Sequence, residues 1–302
     1  MSSKIKCIFT DVDGTLANNY NKLSIRNENA LLAAKKAGII IVPATGRSNI
    51  GFLKLLSKNI REIAKYEGFP GIYFNGTVLI GPKGPYDILK LWTIPDECMC
   101  DLCDFLDSIK EEWHQDDEGY EEAMSRGEIN RGIAYSVYLS NDFVHKIRGS
   151  CLRAVEGLSH EFSRKVDSVI EIIRNNPNTS LKFVIGESRV TMQKLKDLLE
   201  KFLENKPARV LFSHPDILEI LPEGSSKGTA AKYLLNVLKI DPSECMAIGD
   251  AENDVEILTY VGTSIAVSNA CSEVKSVAKH IVASNNDDGF AEAVEKFCNL
   301  TI

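Results

Sequence analysis

Two aspartates that follow an apolar run constrain this chain more than any other feature of its sequence. The segment from Ile5 to Leu16 reads IKCIFTDVDGTL and places Asp11 and Asp13 after a short apolar run, on a turn marked by Gly14. The run predicts a buried strand, with the aspartates at the ligand-binding end of an open α/β sheet. Both carboxylates are expected on the same side of an extended chain, where one could attack phosphorus while the other transfers a proton. The alternative is an ordinary turn, since Asp and Gly are favoured in turns.

The length and composition of the chain limit its architecture and its partners. At 302 residues it is about twice the size of a usual single domain, which favours two domains or one large one. No segment approaches the ~20 apolar residues of a membrane span. No apolar leader precedes the first strand and the eight cysteines form no disulfide framework, so we expect free thiols in a reducing cytoplasm. A formal charge of −7, without a basic block, argues against nucleic-acid binding.

The N-terminal part alternates between predicted helices and strands. The expected elements are a helix from Leu23 to Ala37, a strand from Ile39 to Val42, a helix from about Ser48 to Tyr66 and a strand from Gly71 to Phe74. Asn75-Gly76 then marks a two-residue hairpin turn. This alternation is typical of a three-layer, Rossmann-like α/β core with a mostly parallel sheet.

A change of pattern between two segments rich in glycine and proline, Gly81–Pro85 and Leu221–Gly224, indicates an inserted domain. We expect the core to comprise residues 1–84 and 222–302, with the insertion at 85–221 and the two punctuated segments as hinges. The insertion should be a small α+β sheet with helices on one face. Its predicted helices lie near Pro95–Glu112, Asp142–Gly157 and Ser188–Glu204, and its strands near Ile133–Ser140, Leu181–Gly186, Arg209–Ser213 and Ile217–Leu221.

The first pattern returns from Lys227 onward and brings further acidic residues. Met246–Asp250 reads as an apolar strand that ends in an acid, and Asn253 and Asp254 lie about one turn further on. Carboxylates in this position could hold Mg²⁺. Asp250 and Asn253 could equally cap a helix. The elements expected here are a helix to Lys239, strands Cys245–Ile248, Thr263–Val267 and His280–Val282, and helices after Asp254, over Ser272–Ala278 and at the end.

Two short segments could bind an anion. Thr45-Gly46 offers a hydroxyl and an unobstructed N–H at the head of a helix, which suits phosphate oxygens but also an ordinary strand-to-helix turn. Lys227 opens a helix, where the helix dipole disfavours a cation. That lysine is therefore either solvent-exposed or placed there for an anion.

Taken together, these segments resemble the haloacid dehalogenase (HAD) superfamily of phosphohydrolases, within it the Cof-type branch with a C2-type cap. The resemblance covers nearly the whole core and is carried by DVDGTL at Asp11–Leu16, ATGR at Ala44–Arg47, SSKG at Ser225–Gly228 and GDAEND at Gly249–Asp254. Asn75-Gly76 and the segments Val267–Ala270 and Val282–Phe290 agree with that branch.

The resemblance implies an aspartyl-phosphate mechanism. Asp11 would be the nucleophile, and Asp13 the general acid and then the general base. Mg²⁺ would be held by the carboxylates of Asp11 and Asp250 and the main-chain carbonyl of Asp13, with Asp254 reached directly or through water. The residues expected at the phosphate oxygens are Thr45, Gly46, Lys227 and Asn253. Arg47 and Asn75 are candidate substrate contacts, although an arginine on a first helical turn is ordinarily exposed.

The implied function is a Mg²⁺-dependent phosphatase of small phosphate esters, whose cap excludes macromolecules and decides which ester is accepted. Two alternatives stay open: a phosphomutase and a non-catalytic metabolite-binding relative. A mutase needs a second anion site in the cap, for which the candidates are Arg126, Arg131, Lys182 and Arg189. The sequence indicates no oligomeric state.

Two further clusters invite a metal interpretation. The acidic run at Asp116–Glu118 and Glu121-Glu122 is more typical of a solvated loop. The cysteines Cys98, Cys100 and Cys103 have no fourth ligand close by, and their helical spacing is typical of small hydrophobic residues in a core.

Overall fold

The chain forms two compact units. The computed structural model describes residues 5–63, 65–109, 133–146, 156, 161–186, 189–214 and 217–302. One unit combines Met1–Leu91 with Ser225–Ile302, and the other is Trp92–Gly224.

Strands and helices alternate over much of the described chain. The strands are β1 Cys7–Thr10, β2 Ile40–Pro43, β3 Gly71–Tyr73, β4 Val78–Ile80, β5 Ile88–Leu91, β6 Tyr135–Leu139, β7 Phe143–His145, β8 Arg164–Lys165, β9 Ser180–Gly186, β10 Ala208–His214, β11 Ile217–Pro222, β12 Cys245–Gly249, β13 Thr263–Val267 and β14 His280–Val282. The α-helices are α1 Ile25–Lys36, α2 Asn49–Leu53, α3 Asp96–Ser108, α4 Val169–Asn175, α5 Arg189–Phe202, α6 Lys227–Leu238, α7 Val255–Tyr260, α8 Ser272–Val277 and α9 Gly289–Cys298.

A parallel sheet forms the centre of the first unit, in the order β14-β13-β12-β1-β2. Strand β1 lies between β12 and β2, and Thr10 is in register with both Ile248 and Pro43. These strands are apolar and almost wholly buried, as expected for a parallel sheet covered on both faces. The residues that follow β1, β2 and β12 therefore share one edge of the sheet. The predicted parallel α/β core is confirmed.

The predicted hairpin is present, but its turn is longer than expected. Strands β3, β4 and β5 form a separate antiparallel sheet, and Tyr73 pairs with Val78, so four residues rather than two connect β3 to β4. A single 3₁₀ turn spans Phe74–Gly76, in which Phe74 and Asn75 have φ of +51° and +57°. The N–H of Thr77 donates to the Phe74 carbonyl at 3.2 Å, and Asn75 and Gly76 between them have φ of +57° and +101°, so a tight turn closes at the predicted residues inside this longer connection.

Two predicted helices are wrong. The helix expected over Ser48–Tyr66 is reduced to α2 and a π-helical turn over Asn59–Ile63. Between them, the Ser57 hydroxyl accepts a hydrogen bond from the N–H of Ile60 and donates one to Glu28. The second turn begins after this serine. The helix expected over Asp142–Gly157 is wrong at its start, where strand β7 pairs with β6 instead.

The boundaries of the two units differ from the expected ones. Strand β5 pairs with β4, so the first unit extends to Leu91 rather than to residue 84. Gly81–Pro85 consequently lies in the connection between two paired strands and is no hinge between the units; the N–H of Gly81 donates to the Asp87 carbonyl. The second unit ends at Gly224, two residues beyond the end of β11.

The second unit is a mixed α+β structure, as predicted. Its sheet has the order β10-β11-β9-β6-β7-β8, and one face packs with α3, α4 and α5 in a single apolar core. Cys98 and Cys103 are buried in this core, and Cys100 packs against it. The prediction that these cysteines act as small hydrophobic residues is confirmed, and all three thiols are free.

A buried ion pair lies on the opposite face of the same sheet. Lys182 Nζ is 3.0 Å from Glu219 Oε1, and both side chains are almost completely buried. The ammonium also lies 5.1 Å from the centre of the Tyr138 ring. The pairing of β9 with β11 sets Glu219 opposite Val184, so Lys182 is its diagonal neighbour on the same face.

Removing the acidic partner of this ion pair should destabilise the protein strongly. Glu219→Ala is expected to lower the free energy of unfolding by about 3–5 kcal/mol, because it takes a carboxylate away from a buried ammonium. The double substitution Lys182→Met with Glu219→Leu should cost less, since it removes both charges. Urea unfolding would measure these changes.

The matched control is Glu200→Ala, which removes an exposed ion pair with Lys196. It should change stability by less than about 0.5 kcal/mol. Equal losses for Glu219→Ala and the control would contradict the role of the buried pair.

No helix in the described parts of the chain has both the length and the apolar character needed to cross a bilayer.

Candidate active site

Three carboxylates meet at the shared edge of the parallel sheet. Asp11 directly follows β1, Asp250 directly follows β12, and Asp254 ends the 3₁₀ turn Glu252–Asp254. One oxygen from each lies within 4.8 Å of the others. The structure therefore brings these three candidate residues together, and their oxygens form a cluster that could hold a cation.

A lysine at the start of helix α6 contacts two of these carboxylates. Lys227 Nζ donates to Asp11 Oδ1 at 2.6 Å and to Asp254 Oδ1 at 2.7 Å, and the side chain is completely buried. Helix α6 begins at this lysine, and Ser226 caps it by accepting from the N–H of Thr229. Of the two expectations for Lys227, solvent exposure is wrong. The ammonium tolerates the positive end of the helix because two carboxylates face it.

Backbone amides fix the orientation of Asp254. Its Oδ2 accepts hydrogen bonds from the N–H groups of Asp250 and Ala251, at 3.0 and 3.2 Å. A Cβ on Gly249 would lie 2.5 Å from Asp254 Cγ. Glycine at the end of β12 is therefore required for the carboxylate to reach its position.

The turn after β1 fixes the position of the Asp250 carboxylate. Thr15 Oγ1 donates to Asp250 Oδ1 at 2.9 Å. Gly14 has a φ of +78°, and a Cβ there would lie 2.4 Å from Asp250 Oδ2. Asn269 Nδ2 holds this turn by donating to the Gly14 carbonyl at 2.8 Å. The Asp250 carboxylate therefore packs directly against the backbone at Gly14.

The electrostatics of the cluster favour an additional cation. Burial raises the pKa of Asp11 well above its usual range, against the opposing charge of Lys227. Burial and the charge of Asp254 raise the pKa of Asp250 to about 6. Burial lowers the pKa of Lys227, but Asp11 and Asp254 outweigh it and hold the value above the ordinary one. Three carboxylates face one ammonium, so ionising all of them leaves an excess of negative charge.

One oxygen of the nucleophile candidate is left for a ligand. Asp11 Oδ2 is buried and has no hydrogen-bond partner among the described residues. A buried carboxylate oxygen without a partner is costly unless a cation or a donor satisfies it. Together with the oxygens of Asp250 and Asp254, it provides the hard oxygen ligands that Mg²⁺ prefers.

The second aspartate of the first motif has different surroundings. The chain turns at Val12 rather than continuing as a strand, and the Asp13 side chain is 53% exposed. Arg47 Nε donates to Asp13 Oδ2 at 2.7 Å, and its Nη2 donates to Asp13 Oδ1 and to Asn21. The expectation that the chain continues in an extended conformation through Asp13 is therefore wrong.

Arg47 is almost completely buried, so the expectation of an exposed arginine is also wrong. The bidentate pair with a carboxylate satisfies hydrogen-bond donors of the planar guanidinium and offsets the cost of burying its charge. The sequence gives no sign of Asn21 as a partner, because it lies in the loop before α1 and matches no motif.

The residues expected at a phosphate group are positioned around the same sheet edge. Thr45 is buried, and its Oγ1 accepts from the N–H of Arg47 at 3.1 Å. Asn253 Nδ2 donates to Asn75 Oδ1 at 3.0 Å. A Cβ on Gly46 would lie 3.1 Å from Asn75 Nδ2. The structure therefore brings Asn253, Asn75 and Gly46 together.

Two C-terminal segments, to which the sequence analysis assigned no role, contact the chain that follows β1. Asn269, in the segment Val267–Ala270, supports the first motif through Gly14. Asn285, in the segment Val282–Phe290, donates to the Ala17 carbonyl at 3.0 Å. Both asparagines hydrogen-bond to the chain that follows β1, and these contacts are visible only in the tertiary structure.

Several candidate residues lie outside the described residues. They are the acidic run at Asp116–Glu118 with Glu121-Glu122, and the basic residues Arg126 and Arg131. Arg189 begins α5, and its side chain is not described.

Comparison with known proteins identifies the family. A family model described as haloacid dehalogenase-like hydrolase matches residues 8–294, and the chain belongs to this family of hydrolases. The 5-amino-6-(5-phospho-D-ribitylamino)uracil phosphatase YwtE of Bacillus subtilis is 28% identical, over 97% of this chain and 98% of that protein. A crystal structure of a haloacid dehalogenase-like hydrolase from Bacteroides thetaiotaomicron has a TM-score of 0.75 and 25% identity, covering 97% of this chain and 99% of the other.

One relative is longer than this chain. The Arabidopsis thaliana protein named Endoribonuclease YBEY, chloroplastic, is 27% identical over 97% of this chain. The chain spans only 47% of that protein's length.

Loss of the buried ammonium should destabilise the first unit. Lys227→Met is expected to lower the free energy of unfolding by about 3–5 kcal/mol in metal-free protein, because Asp11 and Asp254 would stay buried without it. Chemical unfolding in the presence of a chelator would measure the change. Lys232→Met, which removes an exposed lysine from the same helix, is the matched control and should have little effect. Equal stability of the two variants would show that the ammonium does not hold the cluster together.

Proposed function

We propose that this hydrolase is a Mg²⁺-dependent phosphatase of small phosphate esters that works through an aspartyl-phosphate on Asp11. The observation that carries the proposal is the environment of this carboxylate: Lys227 donates to one oxygen, and the other is buried beside Asp250 and Asp254 with no hydrogen-bond partner in the part of the chain that the structure describes. The similarity to a phosphatase of a phosphorylated ribityl compound supports a small ester as substrate.

The donor set fits Mg²⁺. Asp11 and Asp250 would bind it through their carboxylates, and Asp13 through its main-chain carbonyl. Both oxygens of Asp254 already accept hydrogen bonds, which favours contact through water for this residue. When bound, the metal would supply positive charge for the phosphoryl group and reduce repulsion between the anionic ester and the carboxylates.

The proposed chemistry has two steps. In the first, an oxygen of Asp11 forms a bond to phosphorus while the bond from phosphorus to the ester oxygen breaks, and Asp13 gives its proton to that leaving oxygen. In the second, Asp13 takes a proton from water as the water oxygen attacks phosphorus. Inorganic phosphate then leaves and the Asp11 carboxylate is restored.

The remaining residues would bind the non-bridging phosphate oxygens. Lys227 would contribute its ammonium, Thr45 its hydroxyl, Gly46 its N–H and Asn253 its amide. Such donors contribute most in phosphoryl transfer, where charge is spread over these oxygens in the transition state.

We assign the second unit, Trp92–Gly224, as the cap that would select the leaving group. Lys182, a candidate for the second anion site of a mutase, is paired with Glu219. That pairing reduces the positive charge it could offer to a second phosphate and makes the phosphatase the better-supported function. A mutase would need a bisphosphate activator and would release little phosphate, whereas a non-catalytic relative would turn over no ester.

Replacing the nucleophile should remove activity. Asp11→Asn is expected to lower phosphate release to less than about one-thousandth of the wild-type rate, because an amide cannot form the acyl-phosphate. The measurement is phosphate release from a panel of sugar, nucleotide and cofactor phosphates, with Mg²⁺ and with excess chelator. Near-normal turnover in the variant, or release unaffected by chelator, would refute the proposed mechanism.

Replacing the proton donor should separate catalysis from metal binding. Asp13→Asn is expected to lower kcat by roughly 10²–10⁴-fold, the usual contribution of general acid–base catalysis. Stabilisation by Mg²⁺ in thermal unfolding should persist, since the main-chain carbonyl is unchanged. Asp101→Asn, an exposed aspartate of the second unit, serves as the control. Loss of the Mg²⁺ effect in Asp13→Asn would place the side chain itself on the metal.

A further inference from the structure

The turn over Phe74–Gly76 is fastened to the segment that follows β2. The N–H of Asn75 donates to the Thr45 carbonyl at 2.9 Å, and the N–H of Phe74 donates to the Arg47 carbonyl at 3.0 Å. These two bonds hold the turn beside the proposed phosphate-binding residues Thr45 and Gly46.

The same turn packs against the start of helix α6. Gly76 has a φ of +101°, and a Cβ there would lie 2.2 Å from the carbonyl carbon and oxygen of Ser226 and 2.8 Å from the backbone nitrogen of Lys227. Only glycine permits this approach, because the obstructing atoms are backbone atoms that cannot rotate away. The turn therefore contacts the backbone that presents the buried lysine.

The side chain of Asn75 reaches a third element of the site. It is almost completely buried, and its Oδ1 accepts the 3.0 Å hydrogen bond from Asn253 Nδ2. Asn253 lies in the 3₁₀ turn after β12. One turn thus contacts three elements that carry proposed phosphate-binding residues.

We propose that Asn75 is a positioning residue that fixes the amide of Asn253 for phosphate binding; this inference rests on the proposed function. A primary amide is planar and carries two N–H bonds. When one of them donates to Asn75, the direction of the other is fixed. That second N–H is the one that would donate to a phosphate oxygen. In this role Asn75 acts through Asn253.

The identity of the residue follows from its two tasks. The backbone at Asn75 has a φ of +57°, which favours asparagine or glycine. Glycine would supply no acceptor for Asn253. Aspartate would supply one, but it would add a negative charge beside a site for an anion. Asparagine satisfies the conformation and the hydrogen bond without that charge.

A double-mutant cycle tests this role. The variants are Asn75→Gly, Asn253→Ala and the two combined, and the readouts are KM and kcat for the best ester and the Kd of inorganic phosphate by calorimetry with Mg²⁺ present. Asn75→Gly should raise KM and the phosphate Kd by about tenfold, the usual effect of losing one hydrogen bond to a charged group. The double variant should match Asn253→Ala within about twofold, because both substitutions remove the same contact.

Asn205→Gly is the matched control, since Asn205 is also left-handed, with a φ of +62°, but is exposed. It should leave KM, kcat and phosphate affinity unchanged. Thermal unfolding of every variant verifies its fold. If Asn75→Gly unfolds below the assay temperature, Asn75→Ser replaces it, because its hydroxyl ends one bond short of the Oδ1 position and the coupling criterion stays the same.

The outcomes distinguish this inference from the proposed function. Independent, multiplicative losses in the double variant, or unchanged phosphate affinity in Asn75→Gly, would overturn the positioning role while leaving the phosphatase intact. Wild-type protein that binds no phosphate and hydrolyses no ester would overturn the proposed function and the inference with it.

Discussion

The first unit depends on one buried ammonium. Lys227 lies between Asp11 and Asp254, and it is the only positive charge that the described residues place in direct contact with the carboxylate cluster. Without it, the ends of two neighbouring strands would carry buried like charges at close range, which parallel strand pairing alone could not offset. The glycines around the site follow from the same constraint, because the carboxylates approach backbone at Gly14 and Gly249 more closely than a Cβ would allow.

Much of this arrangement could be predicted from the sequence. Apolar runs ending in acids at Asp11 and Asp250 predict parallel strands, and parallel strands necessarily bring their carboxyl ends to one edge. Strands β13 and β14 match their predicted bounds, since they are short apolar segments between clear breaks. The position of Lys227 at the start of a helix left solvent exposure and an anion partner as alternatives, and the sequence could not identify which carboxylates it would contact.

What the sequence could not predict depends on contacts between distant residues. The buried Arg47 donates to both Asp13 and Asn21, and neither contact is implied by helix periodicity. The helix expected after Ser48 ends at Leu53, and Ser57 beyond it bonds to Ile60 and Glu28, contacts that local propensity does not reveal. The boundary between the units shifts because β5 completes a sheet with β4, whereas Gly and Pro mark only the connection between these strands.

The order of strands in the central sheet also has a consequence for how the chain folds. Strand β1 precedes the entire second unit in the sequence but pairs with β12, which follows it. Until β12 arrives, β1 has β2 as its neighbour on one side, and its other edge presents unpaired backbone groups and apolar side chains. Such an edge is prone to pairing with other chains. The nucleophile candidate is therefore synthesised before the second unit, but its carboxylate partners and its ammonium join it only after that unit. A nascent chain that pauses in the second unit carries an open strand edge and no assembled site.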